Sequence, residues 1–222
     1  MARRIIGAAF VSLDGIMQAP GAPDEDRSGG FGHGGWLAPL GDEALAGQIE
    51  SMFSGEFDLL LGRRTYEIFA AYWPFAPMTN SIAARFAVVN KYVLTRQADL
   101  ALDWRLSRRL DGLDALAELK ARDGADLVIQ GSSTLYPQLL ARGLLDRLIV
   151  MTAPVLLGQG KRLLDEDTPA VTLKLIEQRS GTGGMRIATY EPAGPVATAH
   201  AGPELINDVE LTRRARVLNG DW

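Results

Sequence analysis

The chain has 222 residues, 47% of them apolar, a formal charge of −4, two histidines and no cysteine. That length and apolar fraction suffice for one large core. The lack of cysteine excludes a disulfide framework, a thiol nucleophile and a thiolate metal site, and His33 and His200 lie too far apart to suggest zinc. Basic residues occur as scattered pairs (Arg3-Arg4, Arg63-Arg64, Arg108-Arg109, Arg213-Arg214) rather than as a stripe, which argues against a nucleic-acid partner. The apolar run near the start is short and broken by Ser12, Asp14 and Gly15, unlike a signal peptide, and no stretch is long enough to cross a membrane. A cytoplasmic protein with a small-molecule substrate, and with no nucleic-acid, membrane or metal partner, is the expectation.

Apolar runs bounded by turn residues predict strands at 4–12, 57–62, 88–95, 126–130 and 145–154. Helical spacing falls between them at 42–54, 64–71, 80–87, 112–122 and 133–142. This alternation implies an α/β fold with a mixed, mainly parallel sheet and helices on both faces. Residues 171–178 and 184–191 flank "RSGTGG" and read as a C-terminal antiparallel hairpin closing one edge. The Gly- and Pro-rich segment 18–39 is long for a structureless loop, which suggests a functional or mobile role. From Pro192, "PAGPVATAHAGP" resembles a linker. The division is therefore a domain at 1–191 and a linker with a C-terminal tail at 192–222. Leu205, Val209, Leu211 and Val217 in that tail could pack at a homodimer interface; a frayed tail is the alternative.

Three strand ends carry polar groups suited to anions. In an open parallel sheet, ligands bind beyond the carboxyl ends of the strands, where helix starts offer free N–H groups. "VIQGSSTLY" runs from a strand through Gly131 to Ser132, Ser133 and Thr134. Those hydroxyl residues serve equally well as ordinary helix caps. "FDLLLGRRTYEIF" places Arg63, Arg64 and Thr65 after Gly62, and two arginines oppose the helix dipole there unless an anion is bound. Solvated arginines on a surface turn are the plain alternative. "KYVLTRQ" ends its strand with Thr95 and Arg96. Together these ends suit a ligand with several phosphates, such as a dinucleotide. No G-x-G-x-x-G directly follows the first strand, which argues against a Rossmann site.

The stretches "GAAFVSLDGIM", "LLLGRRTYE", "VLTRQ" and "VIQGSSTLYPQLLARGLLDRLIVMTAPVLLGQG" resemble, in order, the dihydrofolate reductase superfamily. The closer likeness is to the riboflavin-biosynthesis reductase (RibD C-terminal domain-like) branch, over about residues 4–191. That resemblance implies NADPH across the strand ends. Gly62, Arg63, Arg64 and Thr65 would lie beneath the adenosine-side phosphates, with Arg63 or Arg64 facing the 2'-phosphate. Thr95 and Arg96 would form the adenine-ribose and 2'-phosphate loop. Gln130, Gly131, Ser132, Ser133, Thr134, Leu135 and Tyr136 would form the pyrophosphate turn, and the backbone of Ala8 and Ala9 would meet the nicotinamide carboxamide. Dihydrofolate reductases have two glycines at that turn, whereas here the first is Gln130.

The acid that assists protonation in dihydrofolate reductases has no obvious counterpart, because an ungapped count places Ala46 there. Asp42, Glu43 and Glu50 are nearby, with Glu43 carried forward as a catalytic candidate against its reading as a first-turn acid. The other candidate is Asp14 in "SLDG", which reads equally as a turn residue. Trp36 and Trp73, with Tyr72 and Phe75, could line a slot for a flat substrate ring, or simply pack in the core. His33 suits a mobile lid or a solvated loop. The function expected is NADPH-dependent reduction of a small heterocyclic (pterin or pyrimidine-like) or carbonyl compound; the alternative is a non-catalytic nucleotide-binding or regulatory protein on the same fold.

Overall fold

Each parallel strand is apolar on both faces because helices cover both. In the computed structural model, which describes residues 2–204 and 206–221, β2 (Phe57–Gly62) is buried along its whole length. Leu60 faces one core with β1 (Ile5–Ser12), β5 (Asp126–Gln130), α4 (Leu113–Ala121) and α5 (Leu135–Ala141). Leu59 and Leu61 face the other, under α1 (Glu43–Ser54), α2 (Arg63–Tyr72) and α3 (Ser81–Val88). The period-two alternation of strand side chains makes this division.

The sheet has eight strands in the order β4-β3-β2-β5-β1-β6-β8-β7. β3 (Lys91–Leu94), β4 (Ser107–Leu110) and β6 (Arg147–Ala153) run parallel to β1, β2 and β5. β8 (Arg186–Pro192) pairs antiparallel with β6, and β7 (Leu173–Ser180) antiparallel with β8. The expected α/β class with a C-terminal hairpin is therefore present. Several details differ from the sequence reading: the tail carries a helix at Asp208–Leu218, and the hairpin strands lie about two residues further along the chain than expected. Val88 ends α3 instead of starting β3, and β4, "SRRL", is a strand that its charged composition concealed.

Segment 18–39 is tightly organised rather than structureless. Phe31, Trp36 and Leu37 are buried, and the Trp36 indole donates to the Gln18 carbonyl at 2.8 Å. The Gln18 side chain in turn accepts from the Lys161 N–H and donates to the carbonyls of Asp26 and Ser28. At the other end of the chain, residues 193–207 lead to α6 (Asp208–Leu218), which buries no side chain. Leu205 lies outside the described residues.

The amino ends of the parallel strands carry buried charged groups, each held by at least one protein partner. Arg3 pairs with Asp58 and donates to the Ala125 carbonyl, while Asp58 accepts from both the backbone and the side chain of Asn90 at 2.9 Å. Lys91 is fully buried, donates to the Arg105 carbonyl at 3.0 Å and lies 4.4 Å from the centre of the Trp104 ring. Such pairing is what burial of charge requires. The carboxyl ends are different.

Candidate functional site

The register sets the site. Gly62 of β2 lies opposite Leu94 of β3, so Arg63 and Arg64 start α2 beside Thr95 and Arg96. Gln130 of β5 lies opposite Ala8 of β1, and the chain leaves β5 through Gly131 and Ser132, both at positive φ (78° and 55°). This left-handed pair turns the backbone sharply and brings Ser132 against the start of α2. The Gly62 N–H donates to the Ser132 hydroxyl at 2.9 Å, and the Ser132 N–H donates to the Thr65 hydroxyl at 3.1 Å. The candidate anion ligands on β2 and β5 are thus joined before any ligand arrives.

Several donors remain unspent. Within the described residues, the N–H groups of Ser133 and Thr134 make no hydrogen bond, and α2 has no side-chain cap. Ser132 and Thr65 accept through their oxygens, which leaves both hydroxyl protons available to donate. Arg63 is tied to Glu67 at 2.7 Å, whereas Arg64 and Arg96 are exposed and without a partner among the described residues. Two unpaired guanidinium groups beside an uncapped helix start make a local surplus of positive charge, which an anion would relieve. Thr95 accepts from the Gln97 N–H in a local turn.

Other expected ligands have structural duties. Ala8 and Ala9 are fully buried in β1, and the Ala8 carbonyl accepts from the Gly131 N–H (3.3 Å) and the Tyr136 hydroxyl (3.4 Å). Leu135 and Tyr136 pack in the core, and their N–H groups bond to the carbonyls of Ser132 and Ser133. Burial pushes the Tyr136 phenol well up, against a smaller opposing effect of its bond to Ala8. Trp36 and Trp73 belong to different apolar clusters, joined through Ile49 and Met52 of α1. Trp73 packs edge-on against Phe86, with ring centres 5.1 Å apart.

Both candidate acids are engaged in turns. Asp14 accepts from the Ser12 hydroxyl at 2.5 Å and from the N–H groups of Gly158 (2.7 Å) and Leu157 (3.2 Å). The Ser12 bond above all holds its carboxyl at about 2, well below the usual range. Glu43 accepts from the N–H and hydroxyl of Thr182, each at 2.8 Å, and these bonds depress its carboxyl as well. Its neighbour Asp42 caps α1 through the Ala44 and Leu45 N–H groups, and also accepts from the N–H groups of Gly183 and Met185. The two acids fasten the β7–β8 turn to α1. Ala46 and Glu50 are exposed; Gln48 is the buried polar residue of that helix, bonded to Arg179.

Sequence reasoning missed the contacts of Gln18 and Gln48, whose partners Lys161 and Arg179 lie in distant segments; the Ser12–Asp14 contact is local. The "SLDG" spacing was the one available signal, since serine two residues before aspartate suits a closed turn.

A parallel sheet of this order, with an antiparallel hairpin at one end and anion donors at its carboxyl edge, defines a dihydrofolate-reductase-like fold. Dihydrofolate reductase from Enterococcus faecalis, complexed with NADP(H), superposes with a TM-score of 0.52 at 15% identity, covering 86% of this chain and 99% of that one. A pyrimidine reductase-like protein from Corynebacterium diphtheriae gives 0.57 at 16% identity, over 86% and 92% of the two chains. Residues 3–187 match the RibD C-terminal domain, and the chain belongs to that family. The uncharacterized protein YyaP of Bacillus subtilis is 24% identical over 194 residues, covering 85% of this chain and 94% of its own.

Proposed function

We propose that the protein is an NADPH-dependent reductase of a small heterocyclic or carbonyl compound, related to the reductases of riboflavin biosynthesis. The observation that carries this is the cluster of unspent donors at one sheet edge: Arg64, Arg96 and the N–H groups of Ser133 and Thr134. They are spread along the strand order β3-β2-β5, as an extended ligand with several phosphates requires. The amino edge, where every buried charge named above is partnered, offers no such set. NADPH, when bound, supplies the hydride; this chain's residues hold its phosphates and set its direction across the sheet. The reading fits the family and its NADP(H)-bound structural relative.

Asp14 and Glu43 serve this reading as turn anchors, since both carboxyls are held ionised. Loss of reduced-nicotinamide absorbance on adding pyrimidine, pterin or flavin-precursor compounds tests the proposal. A second reading, a nucleotide-binding regulator without turnover, is favoured by the engagement of both acids in turns. It predicts NADPH binding with no oxidation by any of these compounds. Absence of NADPH binding would sink both.

A further inference from the structure

Gln130 ends β5 and is 9% exposed. Its side-chain oxygen is sealed from solvent and accepts no hydrogen bond among the described residues. Buried side-chain amides are nearly always paired, so an idle one calls for an explanation. Alternation along β5 puts Leu127 and Ile129 in the core under α4 and α5, and Val128 in the core under α1 to α3. Gln130 therefore projects with Val128 toward the α1 side. Its strand neighbour Ala8 has only a methyl group there, which cannot satisfy the amide.

The strand order gives the amide a place along an extended ligand. Arg64 and Arg96 stand at the ends of β2 and β3, and the free N–H groups of Ser133 and Thr134 follow β5. A dinucleotide with its phosphorylated adenosine on the arginines and its pyrophosphate at that turn points its other end across β5 toward β1. Gln130 stands on that path. The nicotinamide ring at that end carries one donor group, the N–H of its carboxamide.

We propose that Gln130 is a specificity-determining residue for the cofactor, its side-chain oxygen accepting from the nicotinamide carboxamide N–H and its side-chain nitrogen facing the carboxamide oxygen. The terminal torsion of glutamine is soft and roughly two-fold, so a half-turn presents whichever end the ligand needs. This assignment rests on the dinucleotide reading above. It makes a separate demand: the protein must sense the carboxamide donor itself.

The test is calorimetric titration of the full chain with NADP⁺ and with its 3-acetylpyridine analogue, in which a methyl group replaces the carboxamide nitrogen. The analogue keeps the acceptor and loses the donor. Wild-type protein should bind it roughly tenfold more weakly, equivalent to about 1.4 kcal/mol. Gln130→Leu should bind the two within about twofold, whereas Gln130→Glu, which keeps an acceptor, should retain the preference. Gln130→Met serves in place of leucine where that variant folds poorly. Equal binding of both nucleotides by the wild type, or an undiminished preference in the leucine variant, overturns the proposal while leaving the dinucleotide reading intact. Failure of the wild type to bind either nucleotide overturns the dinucleotide reading and this assignment with it.

Discussion

The Ser132 hydroxyl accepts the Gly62 N–H at 2.9 Å, linking the end of β2 to the turn after β5. Gly62 is buried, so Ser132→Ala strands its N–H without water to replace the bond. A loss of about 1–2 kcal/mol in urea unfolding is expected. NADPH affinity should fall as well, because the same bond holds the two anion-binding segments in register. A stability loss with unchanged affinity would mean that the link is only architectural.

The two arginines that start α2 should not contribute equally. Arg63 is engaged by Glu67, whereas Arg64 has no partner among the described residues, and Arg96 follows β3 at the same edge. Arg64→Ala should therefore remove more of the preference for NADPH over NADH than Arg63→Ala. On the order of 2 kcal/mol is expected for one charge-assisted bond. Dissociation constants of both cofactors for the three proteins decide the matter, and equal constants in the wild type count against the edge as a 2'-phosphate site.

Gly131 sits at a φ of +78°, so any side chain there is strained before a ligand is considered. Gly131→Ala should cost about 1–2 kcal/mol through the left-handed backbone alone. Asparagine tolerates that region better. Gly131→Asn should keep most of the stability and still weaken NADPH binding, which thermal melts and titration can separate.

Asp14 gives a pH signature. Its folded carboxyl is depressed to about 2 from a usual value near 3.8. The stabilisation is thus complete above about pH 4 and is lost as pH falls through about 2. Asp14→Asn should flatten the stability curve in that window, and should leave any NADPH oxidation rate with the same pH dependence above about pH 5. A rate that loses an acidic limb in the variant would restore Asp14 as a proton carrier.

We propose that two copies associate through the C-terminal edge. β7 is the outermost strand, with Leu175 and Ile176 about half exposed, and α6 leaves Leu211 and Leu218 uncovered. Open apolar edges are seldom left free in native proteins. Light scattering should give twice the chain mass, and deletion of 193–222 should weaken the association. A monomer at micromolar concentration would exclude it.

The sequence revealed the parallel strands because burial on both faces makes them continuously apolar, and the helices because one face each is apolar. β4 escaped because an edge strand of four residues needs little burial: Arg108 and Arg109 sit there in a pattern that reads as a loop. The α3–β3 boundary was blurred by Val88 and Val89, which suit either element. At the site, the strand-end residues were legible, since turn glycines and helix starts announce themselves locally. The division of labour among them was not. That Arg63 is paired and Arg64 free, or that Ser132 bonds Gly62, depends on which segments meet. The packing of 18–39 escaped for the same reason, since Gln18 finds its partner at Lys161.

The place of β1 bears on how the chain is made. This first strand lies between β5 and β6, so neither of its partners exists until residues 126–130 and 147–153 have been synthesised. On the ribosome, "IIGAAFVS" therefore emerges long before the neighbours that cover it, an apolar segment without a sheet. Such a segment is a natural client for a chaperone and a natural seed for aggregation. Raising chaperone levels during synthesis should therefore raise the yield of folded protein without changing its equilibrium stability.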